Sequence, residues 1–207
     1  MKARVGVLIS GSGSNLQALM DAAAAGAPYE IVRVISNNPA AYGLTRAQAM
    51  GVPAQAIDHR PFGKDRAAFE AEVTAALRAA DVQWVALAGF MRVLTPGFVG
   101  AWAGRLINIH PSLLPLFPGL HTHARALEAG MAVHGCTVHH VTDGVDEGPI
   151  IGQAAVPVLP DDTPESLAAR VNGAELRLYP AALAYAVTGV APAIAQDGDS
   201  LIALRRP

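Results

Sequence analysis

Asn108 and His110 stand two residues apart at the end of an apolar run, in the segment Arg105-Leu-Ile-Asn-Ile-His-Pro-Ser-Leu-Leu-Pro-Leu-Phe-Pro-Gly. On an extended backbone they project from the same face. One is an amide donor and the other is able to shuttle protons. A second set of reactive groups lies in Thr142-Asp-Gly-Val-Asp-Glu-Gly-Pro, a glycine-rich stretch with three carboxylates. It reads either as a solvated turn or as a loop that brings one carboxylate to His110 and raises the imidazole pKa. Its glycines invite motion, so the loop is also able to stand open.

Six of the seven histidines fall between His110 and His140. No His-Glu-x-x-His pattern occurs and Cys136 is alone, so no metal centre is expected. Cys136 reads as a small core residue of a strand. His139 and His140 are adjacent on that strand and face opposite sides, so one of them is a packing or surface residue.

These groups need elements to hold them. Residues 106–109 have the character of a buried strand, which Pro111, Pro115, Pro118 and Gly119 force to stop near His110. Residues 4–10 form a second strand, ending in Gly11-Ser-Gly-Ser-Asn before the helical pattern of Leu16, Leu19, Met20 and Ala23. Strand, glycine loop and helix turn backbone N–H groups toward an anion, with phosphate the obvious candidate. The alternative is a tight turn with a Ser or Asn helix cap. A dinucleotide fingerprint fails because Leu16 occupies the third glycine position, and a Walker loop fails because no Gly-Lys-Ser/Thr follows.

Strands over 31–35, 54–57 and 83–88 alternate with helices over 43–50 and 66–80, which implies a doubly wound parallel sheet. Ligands bind beyond the carboxyl ends of such strands. The glycine loop, residues 89–94 and the Asn108/His110 pair are expected at one crevice there. Phe90, Met91, Val93 and Leu94 read either as core or as the wall of a slot for a flat ligand. Further on come strands over 133–141 and 150–159, a helix from 165 to about 186 entered through Thr163-Pro164, and a β-hairpin over 190–204 around Gln196-Asp-Gly-Asp.

The length of 207 residues suits one domain. A net charge of −2 gives no support to nucleic acid or an anionic membrane as partner. With one Cys, no signal-peptide pattern and no long apolar run, the expectation is a soluble cytoplasmic protein, monomer or homodimer.

Taken together, the segments 7–15, 87–92, 108–115, 118–123 and 143–149 resemble the phosphoribosylglycinamide formyltransferase family of purine biosynthesis, over nearly the whole chain. The resemblance implies an α/β, Rossmann-like formyltransferase fold with a mostly parallel sheet. It implies 10-formyltetrahydrofolate as cosubstrate and phosphoribosylglycinamide as acceptor, with 1–105 as the phosphate and ribonucleotide half of the single domain and 106–207 as its catalytic and folate half. Asn108, His110 and Asp146 match the family's catalytic set. Gly13, Ser14 and Asn15 match its phosphate loop, and Glu175 a contact to the ribonucleotide. Arg66, Met91, Arg92, Val93 and Leu94, with Asn108, match its folate contacts. Leu116 departs from the basic or polar residue expected of many relatives. A 10-formyltetrahydrofolate hydrolase, or a non-catalytic nucleotide-binding protein of the same fold, is the alternative.

Overall fold

Strand β1 (Ala3–Ile9) carries Val5, Val7, Leu8 and Ile9, all inaccessible to solvent, on both of its faces. A strand covered on both sides belongs in the middle of a sheet. The computed structural model describes residues 1–194, 196 and 199–205 and forms two compact units, Met1–Asn108 and Ile109–Pro207.

In the first unit β1 pairs in parallel with β2 (Tyr29–Ser36) on one side and β4 (Trp84–Leu87) on the other. β3 (Ala54–Ala56) extends the β2 edge, and β5 (Leu106–His110) follows β4, both in parallel. The order is therefore β3-β2-β1-β4-β5. From β1 the chain moves outward through β2 and β3, then returns to the other side of β1 for β4 and β5. This reversal leaves a topological switch point between the ends of β1 and β4, where an open α/β sheet parts to admit ligands. Helices α1 (Ser14–Ala24), α2 (Tyr42–Ala49) and α3 (Arg66–Ala79) make the crossovers, with Leu16, Leu19, Phe69, Val73 and Leu77 buried.

The second unit begins within β5 and continues with β6 (Val133–His140), β7 (Ile150–Pro157) and β8 (Leu201–Leu204). β6 to β7 and β7 to β8 are antiparallel. The full order is β3-β2-β1-β4-β5-β6-β7-β8, the mostly parallel α/β sheet expected. Helix α6 (Pro164–Thr188) packs on β6 and β7 through Leu167, Val171, Leu178, Tyr179 and Leu183. Its start is a reciprocal cap: the Ser166 amide donates to Thr163 Oγ1 and the Thr163 amide to Ser166 Oγ. The expected turn of the C-terminal hairpin falls partly on residues 197 and 198, outside the described residues, as do 206 and 207 of the expected frayed end. Among the described residues the expected hairpin is not formed: 190–194 carry no strand, Pro192 lacking the amide a ladder needs, and β8 is a single strand that pairs with β7.

Two short helices have no counterpart in the sequence reading. α4 (Pro96–Ala101) contains two glycines, and its entry is held by Thr95, whose hydroxyl and amide both bond the Glu70 carboxylate. α5 (Thr122–Glu128) starts from His121 in a left-handed conformation with no side-chain cap; Thr122 instead ties back to the Pro111 carbonyl at 2.6 Å. Tertiary partners, not local propensity, hold both.

Candidate active site

β5 ends at His110 because Pro111 cannot continue the ladder. The segment that follows is irregular but well fastened. The Thr137 hydroxyl donates to the Ser112 carbonyl and accepts from the Leu114 amide, while the Gln153 amide bonds the Leu114 carbonyl at 2.9 Å. Ser112 Oγ donates to the Leu116 carbonyl, and Arg125 of α5 reaches the Pro118 carbonyl and stacks over the Phe117 ring. This bracing aims the Phe117 carbonyl at His110 Nε2, 3.1 Å away.

The other ring nitrogen, Nδ1, lies 3.3 Å from Asp146 Oδ2, with both side chains largely buried. Asp146 is thus the carboxylate, of the three in its loop, that meets His110, and the loop stands closed on it. The loop is pinned through the Gly119 amide, which donates to Asp146 Oδ2 at 2.9 Å. Asp146 adopts a left-handed backbone (φ 58°) to reach inward. Gly148 is required nearby, since a Cβ there would sit 1.7 Å from the His140 carbonyl oxygen. The second carboxylate oxygen faces His139 Nε2 at 3.7 Å, so Asp146 sits between two imidazoles. Asn108 precedes His110 by two residues on the same strand.

Four other histidines, His123, His134, His139 and His140, are driven toward neutrality. Burial lowers the pKa of His134 to about 4, helped by neighbouring His123, whose own pKa burial also lowers. Their rings meet edge to face at 5.2 Å. Burial likewise lowers His139 and His140. His139 is the inward member of that pair, at 2% exposure, and His140 is half-buried. Burial pushes the Cys136 thiol well up, with the Glu175 charge adding to the effect, which suits a core residue rather than a nucleophile. Glu175, itself buried on α6, accepts from Asn172 Nδ2 at 3.0 Å. Among the described residues no group of three or more His, Cys, Asp or Glu could hold a metal ion.

In the first unit, a cleft of about 230 Å³ opens at the switch point, lined by residues 10–15 with Ala88, Gly89 and Met91. At roughly 30 Å³ per water it has room for about seven, enough for a phosphate. Gly13 takes a left-handed backbone (φ 74°) at the mouth of α1 and lies so close to α2 that a Cβ would come within 2.7 Å of Gly43 Cα. The Gly43 amide and Arg46 Nε bond the Gly11 and Ser12 carbonyls, which stiffens the loop. Amides at a helix start, held rigid, form an anion site.

Residues 91–94 leave the end of β4 as a ledge. Met91 and Val93 are 68% and 63% exposed, so this group is not core, which favours the slot reading. The ledge is fixed by polar contacts: Met91 N–H to Ser10 Oγ at 2.8 Å, the Val93 carbonyl to Arg66 Nη1 at 3.2 Å, and Thr95 to Glu70. Arg92 lies over the Phe69 ring of α3. The structure therefore brings Arg66 to the segment 91–94, a pairing across 27 residues of sequence.

Residues 3–183 match the formyl transferase family. The phosphoribosylglycinamide formyltransferase of Escherichia coli (strain K12) is 46% identical over 184 residues, covering 88% of this chain and 86% of that protein. The chain belongs to the phosphoribosylglycinamide formyltransferase family, within the formyl transferases. A crystal structure of the family member from Brucella melitensis is 52% identical, with a TM-score of 0.87, covering 94% of this chain and all of that one. The trifunctional purine biosynthetic protein adenosine-3 of Drosophila melanogaster is 55% identical over 191 residues, 91% of this chain. The chain spans only 14 to 19% of the length of such trifunctional relatives.

For a formyl transferase, the contacts hidden from the sequence reading are chiefly main-chain ones: the Phe117 carbonyl on His110 and the Gly119 amide on Asp146. Backbone groups carry no side-chain signature, so only the clustering of prolines around Phe117 hinted at a shaped loop. His139 was visible only as one of two adjacent histidines; the β-bulge between Val138 and His139 is a tertiary feature.

Proposed function

We propose that the chain transfers the formyl group of 10-formyltetrahydrofolate to the glycyl amine of phosphoribosylglycinamide, in the cytoplasm and as a monomer or homodimer, with residues 1–207 working as one formyltransferase domain. The observation that carries this reading is the His110–Asp146 pair at the end of β5, with the other nitrogen of the ring on a main-chain carbonyl. An acceptor beside each nitrogen fixes the orientation of the ring at the end of β5.

The chemistry needs little else. A glycyl amine, by analogy with free α-amino groups at pKa near 8, has a useful neutral fraction near pH 7. Its nitrogen attacks the formyl carbon, a C–N bond forms, and the carbonyl oxygen becomes an oxyanion. Asn108 and protonated His110 hold that oxygen, His110 turning Nδ1 from Asp146 toward it. The proton shed by the incoming nitrogen passes through a water ordered by Asp146 to the departing folate nitrogen as the old C–N bond breaks. No metal or covalent enzyme intermediate is involved. Gly13, Ser14 and Asn15 take the phosphate and Glu175 contacts the ribonucleotide. Arg66 and residues 91–94, Arg92 among them, receive the folate together with Asn108. Neither nucleic acid nor membrane takes part.

Mixing the purified chain with formyl-folate, with and without phosphoribosylglycinamide, tests this. Deformylation that requires the acceptor is expected. Acceptor-independent deformylation would make the chain a hydrolase, and binding without either reaction would leave a nucleotide-binding protein.

A further inference from the structure

At the carboxyl end of the first unit's sheet, hydrogen bonds cross four neighbouring strand ends in sheet order. His59, beyond β3, places Nδ1 at 3.2 Å from Asn37 Nδ2 and 2.9 Å from the Asn37 carbonyl. Asn37, one residue past β2 and 5% exposed, accepts through Oδ1 from the Ser10 hydroxyl at 2.6 Å. Ser10, one residue past β1, accepts in turn from the Met91 amide beyond β4. The direction of this chain is determined by its groups. A hydroxyl has one proton, and Asn37 takes it, so only lone pairs of Ser10 remain for Met91 N–H. In the tautomer whose Nδ1 carries no proton, His59 accepts from the Asn37 amide nitrogen and so keeps Oδ1 turned toward Ser10, the Asn37 carbonyl then being a contact and not a hydrogen-bond partner of that nitrogen.

We propose that Ser10 is a positioning residue for the folate ledge, oriented by Asn37 and His59. The Met91 and Val93 side chains are exposed and contribute little packing, so the place of the ledge depends on its polar anchors. Ser10 is the anchor nearest its start. It also lines the cleft of the phosphate loop, so a single hydroxyl sets the folate ledge from the strand that presents the ribonucleotide site. This inference rests on the folate and phosphate roles proposed above.

The test compares Ser10→Ala, Ser10→Thr and Asn37→Ala with the unsubstituted chain, reading kcat, both KM values and direct titration with tetrahydrofolate. Loss of a bond of this kind is expected to raise the formyl-folate KM about 3- to 10-fold in Ser10→Ala. The ribonucleotide KM and kcat should each change by a smaller factor than the formyl-folate KM. Threonine, which keeps the hydroxyl, should restore the folate KM, and Asn37→Ala should raise it less than Ser10→Ala does. An unchanged folate KM in Ser10→Ala, or a loss shared evenly by kcat and both KM values that threonine does not restore, would overturn the proposal. Should Ser10→Ala not fold, Asn37→Ala carries the same test. Titration needs no turnover, so weaker tetrahydrofolate binding by Ser10→Ala in a chain that transfers no formyl group would sink the proposed reaction while upholding the positioning. Failure of the unsubstituted chain to bind tetrahydrofolate would sink both.

Discussion

His110 differs from His134 in what surrounds its nitrogens. His134 meets the His123 ring and the Pro111 backbone, and burial lowers its pKa to about 4, whereas His110 meets a carboxylate and a carbonyl. If its protonated ring steadies the oxyanion, His110→Ala should lower kcat by about 10²- to 10³-fold with little change in either KM. Stopped turnover assays at saturating substrates check this, and near-normal turnover would remove His110 from the centre. Asp146→Asn keeps the bond from the Gly119 amide but loses the charge facing Nδ1. It should cost kcat about 10²-fold or more and change the pH–rate profile, a signature that loss of folding alone would not produce.

Loops and caps act at the scale of elements. The closed 142–149 loop depends on Gly148, whose α-hydrogen faces the His140 carbonyl where any side chain would clash. Gly148→Ala is therefore expected to displace Asp146 and lower kcat by about 10-fold or more, in the direction of Asp146→Asn. The thermal midpoint should move only modestly, because the loop adds little buried apolar surface. A variant with full activity would show that loop closure on His110 is not needed. The segment 91–94 makes the complementary point: four residues without regular structure are fastened by Ser10 at the end of β1 and Arg66 on α3, while Glu70 of the same helix holds Thr95 just beyond them.

Across the whole molecule, buried neutral histidines set how stability depends on pH. Burial lowers the His134 pKa from its ordinary value of 6.5 to about 4 on folding. Between those values the unfolded chain binds a proton that the native ring refuses, so stability is intact above pH 6.5 and declines as pH falls toward 4. From this ring alone the loss reaches at most about 3 kcal/mol, and His123, His139 and His140 act in the same direction. Denaturant titrations from pH 7 to pH 4 should show this decline, and His134→Gln should flatten it. An equal slope in that variant would place the titration elsewhere.

Much of this architecture was legible in the primary structure. Leu106 to His110 read as a strand because β-branched residues end at a proline, and the glycine loop read as an anion site because strand, Gly-x-Gly and helix follow one another within a dozen residues. The same local patterns located β1, β2, α3 and α6 to within a few residues. Whether Met91 and Val93 were core or ledge was not legible, because exposure depends on what other segments cover them. Residue spacing alone did not single out the His110 partner among Asp143, Asp146 and Glu147; the family resemblance pointed to Asp146, and in the fold the meeting turns on one left-handed residue and one close glycine contact. Residue type and spacing determined which chemistry was available, since those are properties of neighbours along the chain. Tertiary structure decided which groups meet, since His110 with Asp146, and Ser10 with Met91, are joined by contacts 36 and 81 residues apart.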